Sequence, residues 1–200
     1  VAFEDRHALA PQAPTVRFKL RARKSAGPDP YAGLRLRLAG DQTAVDLALD
    51  PDGSFDLPSQ DVVADADADL ILNKRKGGYN WLPVVRSPGL PEGMRRMGDL
   101  RLECEVLIAT VKEELGLMKT AFINTLMLST DWCMNKRRED VNIPSFAERP
   151  LAGAVLVEGD KRTALKVDSD PTVFIAPLAD RRVADDALVE LHYADPAPAD

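Results

Sequence analysis

Histidine and cysteine are almost missing from this chain: among 200 residues there are only His7, His192, Cys104 and Cys133. A zinc site, a Ser-His-Asp triad or a Cys-His pair would have to be assembled from these four side chains. Neither histidine has a plausible nucleophile near it in sequence, and the cysteines have neither C-x-x-C spacing nor a histidine nearby. The G-x-S-x-G elbow, the P-loop, the dinucleotide glycine fingerprint and H-E-x-x-H are also absent. No cofactor and no metal is expected. Long apolar runs are lacking too: none approaches the roughly 20 residues of a membrane-spanning helix. Basic residues are outnumbered, 26 against 32 acidic, for a net charge of −6. That balance argues against general nucleic-acid affinity, which rests on a surplus of Lys and Arg.

What is present is enough apolar material for a folded core, 45% of the residues. The two ends, residues 1–15 ("VAFEDRHALAPQAPT") and 194–200 ("ADPAPAD"), carry proline and alanine without periodicity and read as loose segments. The chain opens on Val1 without a charged and apolar leader, as a processed mature protein or a trimmed chain does, so export is permitted.

From Val16 the pattern turns to strands. "VRFKLRARK" alternates Val16, Phe18, Leu20 and Ala22 with Arg17, Lys19, Arg21 and Arg23, and "LRLRL" repeats the device. "DVVADADADLILN" sets Asp65, Asp67 and Asp69 on one face, so a basic strand beside it would neutralise itself. "VDLALDPDGSFDLP" raises the question of a calcium loop. An EF-hand needs glycine at its sixth position; counting from Asp50 that place falls to Phe55, and counting back from Gly53 puts Ala48 where the first ligand belongs. As a β-turn the same residues all fit, with Asp50 at i, Pro51 at i+1, Asp52 at i+2 and Gly53 at i+3, joining two strands as a hairpin.

Over residues 16–79 the turn and its flanks resemble the carboxypeptidase-regulatory-like, transthyretin-like β-sandwich, through Asp52, Gly53, Phe55, Leu57, Pro58, Gly78 and Tyr79. The resemblance implies an extracytoplasmic, noncatalytic module built on residues 16–80.

Residues 81–99 read as a basic, Pro- and Gly-rich connection. The wider stretch Lys74–Arg101 holds seven basic residues against Glu92 and Asp99. Tyr79, Trp81, Arg86, Arg95 and Arg96 concentrate charge and aromatic area there and form the expected ligand or partner surface, suited to an anionic group or a sugar ring.

Residues 100–150 read as a strand, a helix and a polar connector. Leu100, Leu102, Cys104, Val106 and Ile108 alternate, whereas Val111, Leu115, Met118, Phe122 and Leu126 recur at helical spacing, which predicts a helix over about 111–128 with these residues in the core. The competing reading makes the whole run one helix. Glu103 and Glu105 then share a strand face as a candidate carboxylate pair. Cys104 and Cys133 are either a disulfide in an oxidising compartment or two buried thiols in a reducing one. A return down the helix would bring them together, and we expect the bridge. Residues 151–193 read as further strands in the same compact unit, with a hairpin at Glu158, Gly159 and Asp160.

The expected fold is therefore mainly β, of α+β class: an antiparallel β-sandwich-like domain with one substantial helix packed on it. The expected function is that of a noncatalytic exported protein, periplasmic or extracellular, that binds an envelope protein or glycan. The alternatives are a cell-envelope glycan hydrolase using paired carboxylates, and a cytoplasmic regulator whose basic loop contacts phosphate or nucleic acid. The residues do not fix an oligomeric state.

Overall fold

A computed structural model describes residues 2–23, 29–42, 44–58, 68–75, 77–135 and 142–195. The chain divides into two units, one of residues 16–84 and one that joins residues 1–15 to residues 85–200. Antiparallel sheets dominate, with one substantial helix, as the residue patterns predict.

The unit of residues 16–84 contains β1 (Val16–Ala22), β2 (Leu36–Ala39), β3 (Ala44–Leu47), β4 (Ser54–Phe55), β5 (Asp69–Leu72) and most of β6 (Tyr79–Val85). They form two three-stranded sheets, β4-β1-β6 and β3-β2-β5. Leu20 and Phe55 of the first sheet and Leu36 of the second are fully buried in one core, with Phe18, Leu47, Leu70, Leu72 and Trp81 packed against it. This is the two-layer arrangement that alternating strands require when each sheet has only one apolar face.

The polar face of β1 is neutralised locally. Arg17 reaches Asp50 at 2.8 Å and Asp56 at 2.9 Å, and Lys19 reaches Asp52 at 2.7 Å. Asp69 is exposed in β5, while Asp65 and Asp67, the other expected counter-charges, lie outside the described residues. The aspartates of the Asp50–Asp56 stretch are thus ion-paired with arginine and lysine. Burial works against the Asp52 carboxylate, yet hydrogen bonds from Lys19 and Ser54 hold its pKa below the usual aspartate value.

The turn itself is as predicted. The Gly53 N–H donates to the Asp50 carbonyl at 2.9 Å, and Gly53 has φ +82°. A Cβ there would come within 2.5 Å of the Tyr31 ring and 3.1 Å of the Leu20 carbonyl oxygen, so both conformation and space require glycine. It does not close a hairpin, however: β3 pairs with β2 and β4 with β1, so the turn carries the chain from one sheet to the other.

The other unit begins with α1 (Ala2–Arg6) and a 3-10 turn at His7–Leu9, followed by the buried Ala10 and Ala13. Residues 1–15, expected as a loose end, thus include two short helical turns and two core alanines. Then come β7 (Met94–Arg96), α2 (Met97–Met127), β8 (Ser145–Phe146), β9 (Leu151–Glu158), β10 (Lys161–Val167), β11 (Val173–Ile175) and β12 (Leu188–Tyr193). The strands form one sheet in the order β7-β12-β9-β10-β11-β8. The expected hairpin is present, with Lys161 opposite Glu158 across Gly159 and Asp160. The segment 81–99, expected as a connection, is largely regular, since it holds the end of β6, all of β7 and the start of α2. Pro83 is tolerated because β6 is an edge strand of its sheet.

The strand expected at Leu100–Ile108 is helical; the single-helix reading describes it better. Met97, Leu100 and Cys104 face the core formed by Leu151, Leu156, Phe174, Val189 and Leu191, while Arg101 and Leu102 are buried too. With burial on several sides, the helical period is hidden, and an accidental alternation is all that the sequence displays. No capping side chain starts α2; its first N–H groups, of Met97 and Gly98, donate to the carbonyls of Ala187 and Asp185, each at 2.8 Å.

At Gly116 the helix breaks, with φ +73° and ψ +169°. The part beyond is tied to the part before: the Thr120 hydroxyl donates to the Lys112 carbonyl at 3.2 Å, and the Lys112 ammonium to the Thr130 carbonyl at 2.5 Å. The indole of Trp132 donates to Asn124 at 2.8 Å. Cys133 closes the return through a disulfide to Cys104, with Cα atoms 5.9 Å apart, as the sequence reading expects.

Candidate functional site

The five residues expected to form a binding surface divide between the two units. Tyr79 and Trp81 belong to β6, where the Tyr79 hydroxyl donates to the Pro30 carbonyl and Trp81 packs edge-on against Phe55 with ring centroids 5.7 Å apart. Both rings border the small core of their unit.

Arg86, Arg95 and Arg96 lie in the other unit, at the root of α2. Arg95, on β7, is buried and donates to Glu103 at 2.6 Å. Arg86 meets the same Glu103 oxygen at 3.4 Å and Glu148 at 2.7 Å. The Val85 N–H donates to that oxygen as well, at 2.8 Å. Arg149 stacks on Tyr193, 4.1 Å from the ring centre, and pairs with Glu92 at 2.6 Å. Burial raises the Tyr193 hydroxyl pKa, and Glu148 adds to that while Arg86, Arg149 and Arg95 oppose it. Arg86, Arg95 and Arg149 thus face Glu103, Glu148 and Glu92. The Nε atoms of Arg95 and Arg96 are buried without a hydrogen-bond partner. Burial pulls the Arg95 pKa down, against the charge of Glu103.

Glu103 and Glu105, expected on one strand face, point to different partners because two residues along a helix turn a side chain through roughly 200°. Glu103 serves the arginines. Glu105 is in hydrogen-bond contact with Asp131, with Arg6 3.6 Å away and Lys112 close enough to act on its charge. Burial raises the Glu105 pKa first, and the charge of Asp131 and the carboxyl-carboxyl hydrogen bond raise it further. In sequence these two carboxylates flank the disulfide at both ends.

The histidines and cysteines are engaged elsewhere. His7 meets the Ala13 carbonyl at 2.8 Å, His192 lies 3.3 Å from Glu190, and both cysteines are in the disulfide. Among the described residues no three His, Cys, Asp or Glu side chains gather as a metal-holding group, and no helix is long and apolar enough to cross a membrane.

The most unusual surface is one that sequence reasoning assigns to the core. Beyond Gly116, Leu117 is 91% exposed, Met118 87%, Phe122 66%, Leu126 53% and Leu128 56%. Lone exposed leucines are ordinary, but a cluster of large apolar side chains on one helical segment marks an interaction surface. From Gly116 to Thr130 the chain has one charged residue, Lys119, and no acid. The signal that betrays this surface in the sequence is Gly116 itself: it interrupts the helix before the stripe reaches the core it was expected to join. Set against known protein families, curated proteins and solved structures, the chain matches none.

Proposed function

We propose that this is a noncatalytic, exported accessory protein of the periplasm or cell envelope that binds a partner protein through the apolar face of α2 beyond Gly116. The observation that carries the reading is the exposure of Leu117, Met118 and Phe122 on a segment with no acidic residue. Exposed apolar area of this kind lowers solubility and is retained where a partner covers it. Two further facts support the reading. Several polar side chains that chemistry could use are engaged with one another, Glu103 with Arg95 and Arg86, His192 with Glu190. The disulfide is of a kind that persists in oxidising compartments.

The test is photo-crosslinking in cells of the source organism from a reactive residue at Lys119, exposed beside the apolar face. The expected result is a discrete protein adduct in the envelope fraction that disappears in Phe122→Glu while the melting temperature stays unchanged. Recovery of the protein in the cytosol, or an adduct indifferent to Phe122→Glu, overturns the reading.

A further inference from the structure

Helical side chains at i, i+4 and i+8 form ridges, and beyond Gly116 two neighbouring rows differ sharply in size. Met118, Phe122 and Leu126 make a bulky ridge, whereas the adjoining row is Leu117, Ala121 and Thr125, which falls away to small side chains after its first member. Ala121 and Thr125 are both exposed. The Thr125 hydroxyl is already satisfied, donating to the Ala121 carbonyl at 3.0 Å, so the groove presents methyl groups and no unmet donor.

A face that carries a ridge beside a groove of similar length complements itself. Under a two-fold axis, the ridge of one copy lies in the groove of the other, and the same contact is made twice. We infer that the partner this face fits is a second copy of the chain, the two segments packing antiparallel with Phe122 of each copy over Ala121 and Thr125 of the other.

Charge agrees with that occupant. Pairing this face with itself buries no carboxylate, and Lys119, the single charge, is long enough to reach the rim with its ammonium in water. An anionic lipid surface is the less suitable occupant for a chain of net charge −6. Area agrees as well. Leu117, Met118, Phe122 and Leu126 present on the order of 500 Å² of exposed side chain, near the about 600 Å² per partner at the small end of specific interfaces. A small interface of this type dissociates at micromolar concentration.

The inference rests on the reading of this face as a protein-binding surface, and the experiment separates the two. Sedimentation velocity of the purified chain from about 1 to 200 µM is expected to show a monomer-dimer equilibrium in the micromolar range. Phe122→Glu is expected to raise the dissociation constant at least about tenfold, as loss of one buried aromatic contact does. Ala121→Leu, which fills the groove without adding charge, is expected to do the same, and both variants should melt with the wild type. A chain that stays monomeric at about 200 µM overturns the inference, as does a dimer indifferent to both variants. Binding to phosphatidylglycerol-phosphatidylethanolamine vesicles without self-association overturns it in favour of lipid. If the purified chain is monomeric while the crosslink at Lys119 captures a different protein, the inference falls and the binding reading stands; if the crosslink also fails, both fall.

Discussion

The carboxylate of Asp99, fully buried in the first turn of α2, is held by a single residue, Ser87, whose N–H donates to one oxygen at 2.9 Å and whose hydroxyl donates to the other at 2.7 Å. The positive end of the helix dipole favours a negative charge at this position, which offsets part of the free-energy cost of burial. Ser87→Ala removes the hydroxyl and leaves one oxygen of a buried carboxylate without its donor. A loss of about 1.5 to 3 kcal/mol of stability is expected, measured by urea denaturation. A change below about 0.5 kcal/mol would show that water takes over the lost bond.

Arg101 gives a second expectation. Its guanidinium is buried and donates to the carbonyls of Leu178 at 3.0 Å, Asp180 at 2.7 Å and Val183 at 3.0 Å, and it is ion-paired with Asp185. One planar fork thereby fixes residues 178–185 against α2. Lysine keeps the charge but cannot reproduce the fork, so Arg101→Lys is expected to cost about 1 to 3 kcal/mol, the range for leaving buried acceptors without their donor. Near-native stability of Arg101→Lys, by the same denaturation, would mean that the carbonyls are satisfied without the fork.

These two sites show where the sequence was legible and where it was not. Period-two alternation located β1 and β2, because one face of each is polar, apolar runs located β9 and β10, and the turn residues located the bends at Gly53 and Gly159. The cysteine pair announced its bridge because no other pairing was open. At the root of α2 the same logic failed: Leu100 to Ile108 alternates by chance, since Arg101 and Glu103 are polar yet spend their charge inside the protein. Nothing local distinguishes Arg101, a buried clamp, from Arg37, an exposed strand residue. Arg86 and Arg95 likewise read as part of an open basic loop because their glutamate partners, Glu103 and Glu148, lie outside it. Met118 and Phe122 keep the spacing of a core helix, and only the conformation of Gly116 separates them from the core.

That conformation is itself testable. Gly116 combines φ +73° with ψ +169°, a region open in practice only to glycine, and a Cβ there would meet nothing within 4 Å. The penalty for Gly116→Ala is therefore purely one of backbone strain, expected at about 1 to 3 kcal/mol. Gly153 is the control: it has no positive φ and equally open space, so Gly153→Ala should change stability by no more than about 0.5 kcal/mol. If Gly116→Ala instead stabilises the chain and raises its helical circular dichroism, α2 is continuous through this point and Leu117 faces another direction.

The Glu105–Asp131 pair makes stability depend on pH with a definite sign. Glu105 has its pKa raised above 4.5, by burial first and then by the Asp131 charge and hydrogen bond, so the folded state holds a proton that the unfolded state has released. The stabilisation is fully present below the ordinary glutamate value and is lost as pH rises through the raised one. Arg6, 3.6 Å away, and Lys112 pull in the opposite direction but do not reverse it. Glu105→Gln keeps the shape and a hydrogen-bond donor while removing the titration. Its melting temperature relative to wild type is expected to rise as the pH climbs from the ordinary glutamate range through the raised value, where wild-type Glu105 loses its proton. Asp131→Asn is expected to weaken the same dependence, burial of Glu105 remaining, without disturbing the local backbone, because the asparagine side-chain oxygen can still accept the Met134 N–H, which Asp131 binds at 2.8 Å. Differential scanning fluorimetry of the three proteins at half-unit pH steps decides the matter. Melting temperatures that run parallel with pH for wild type and Glu105→Gln would mean that Glu105 does not hold its proton more tightly in the folded state.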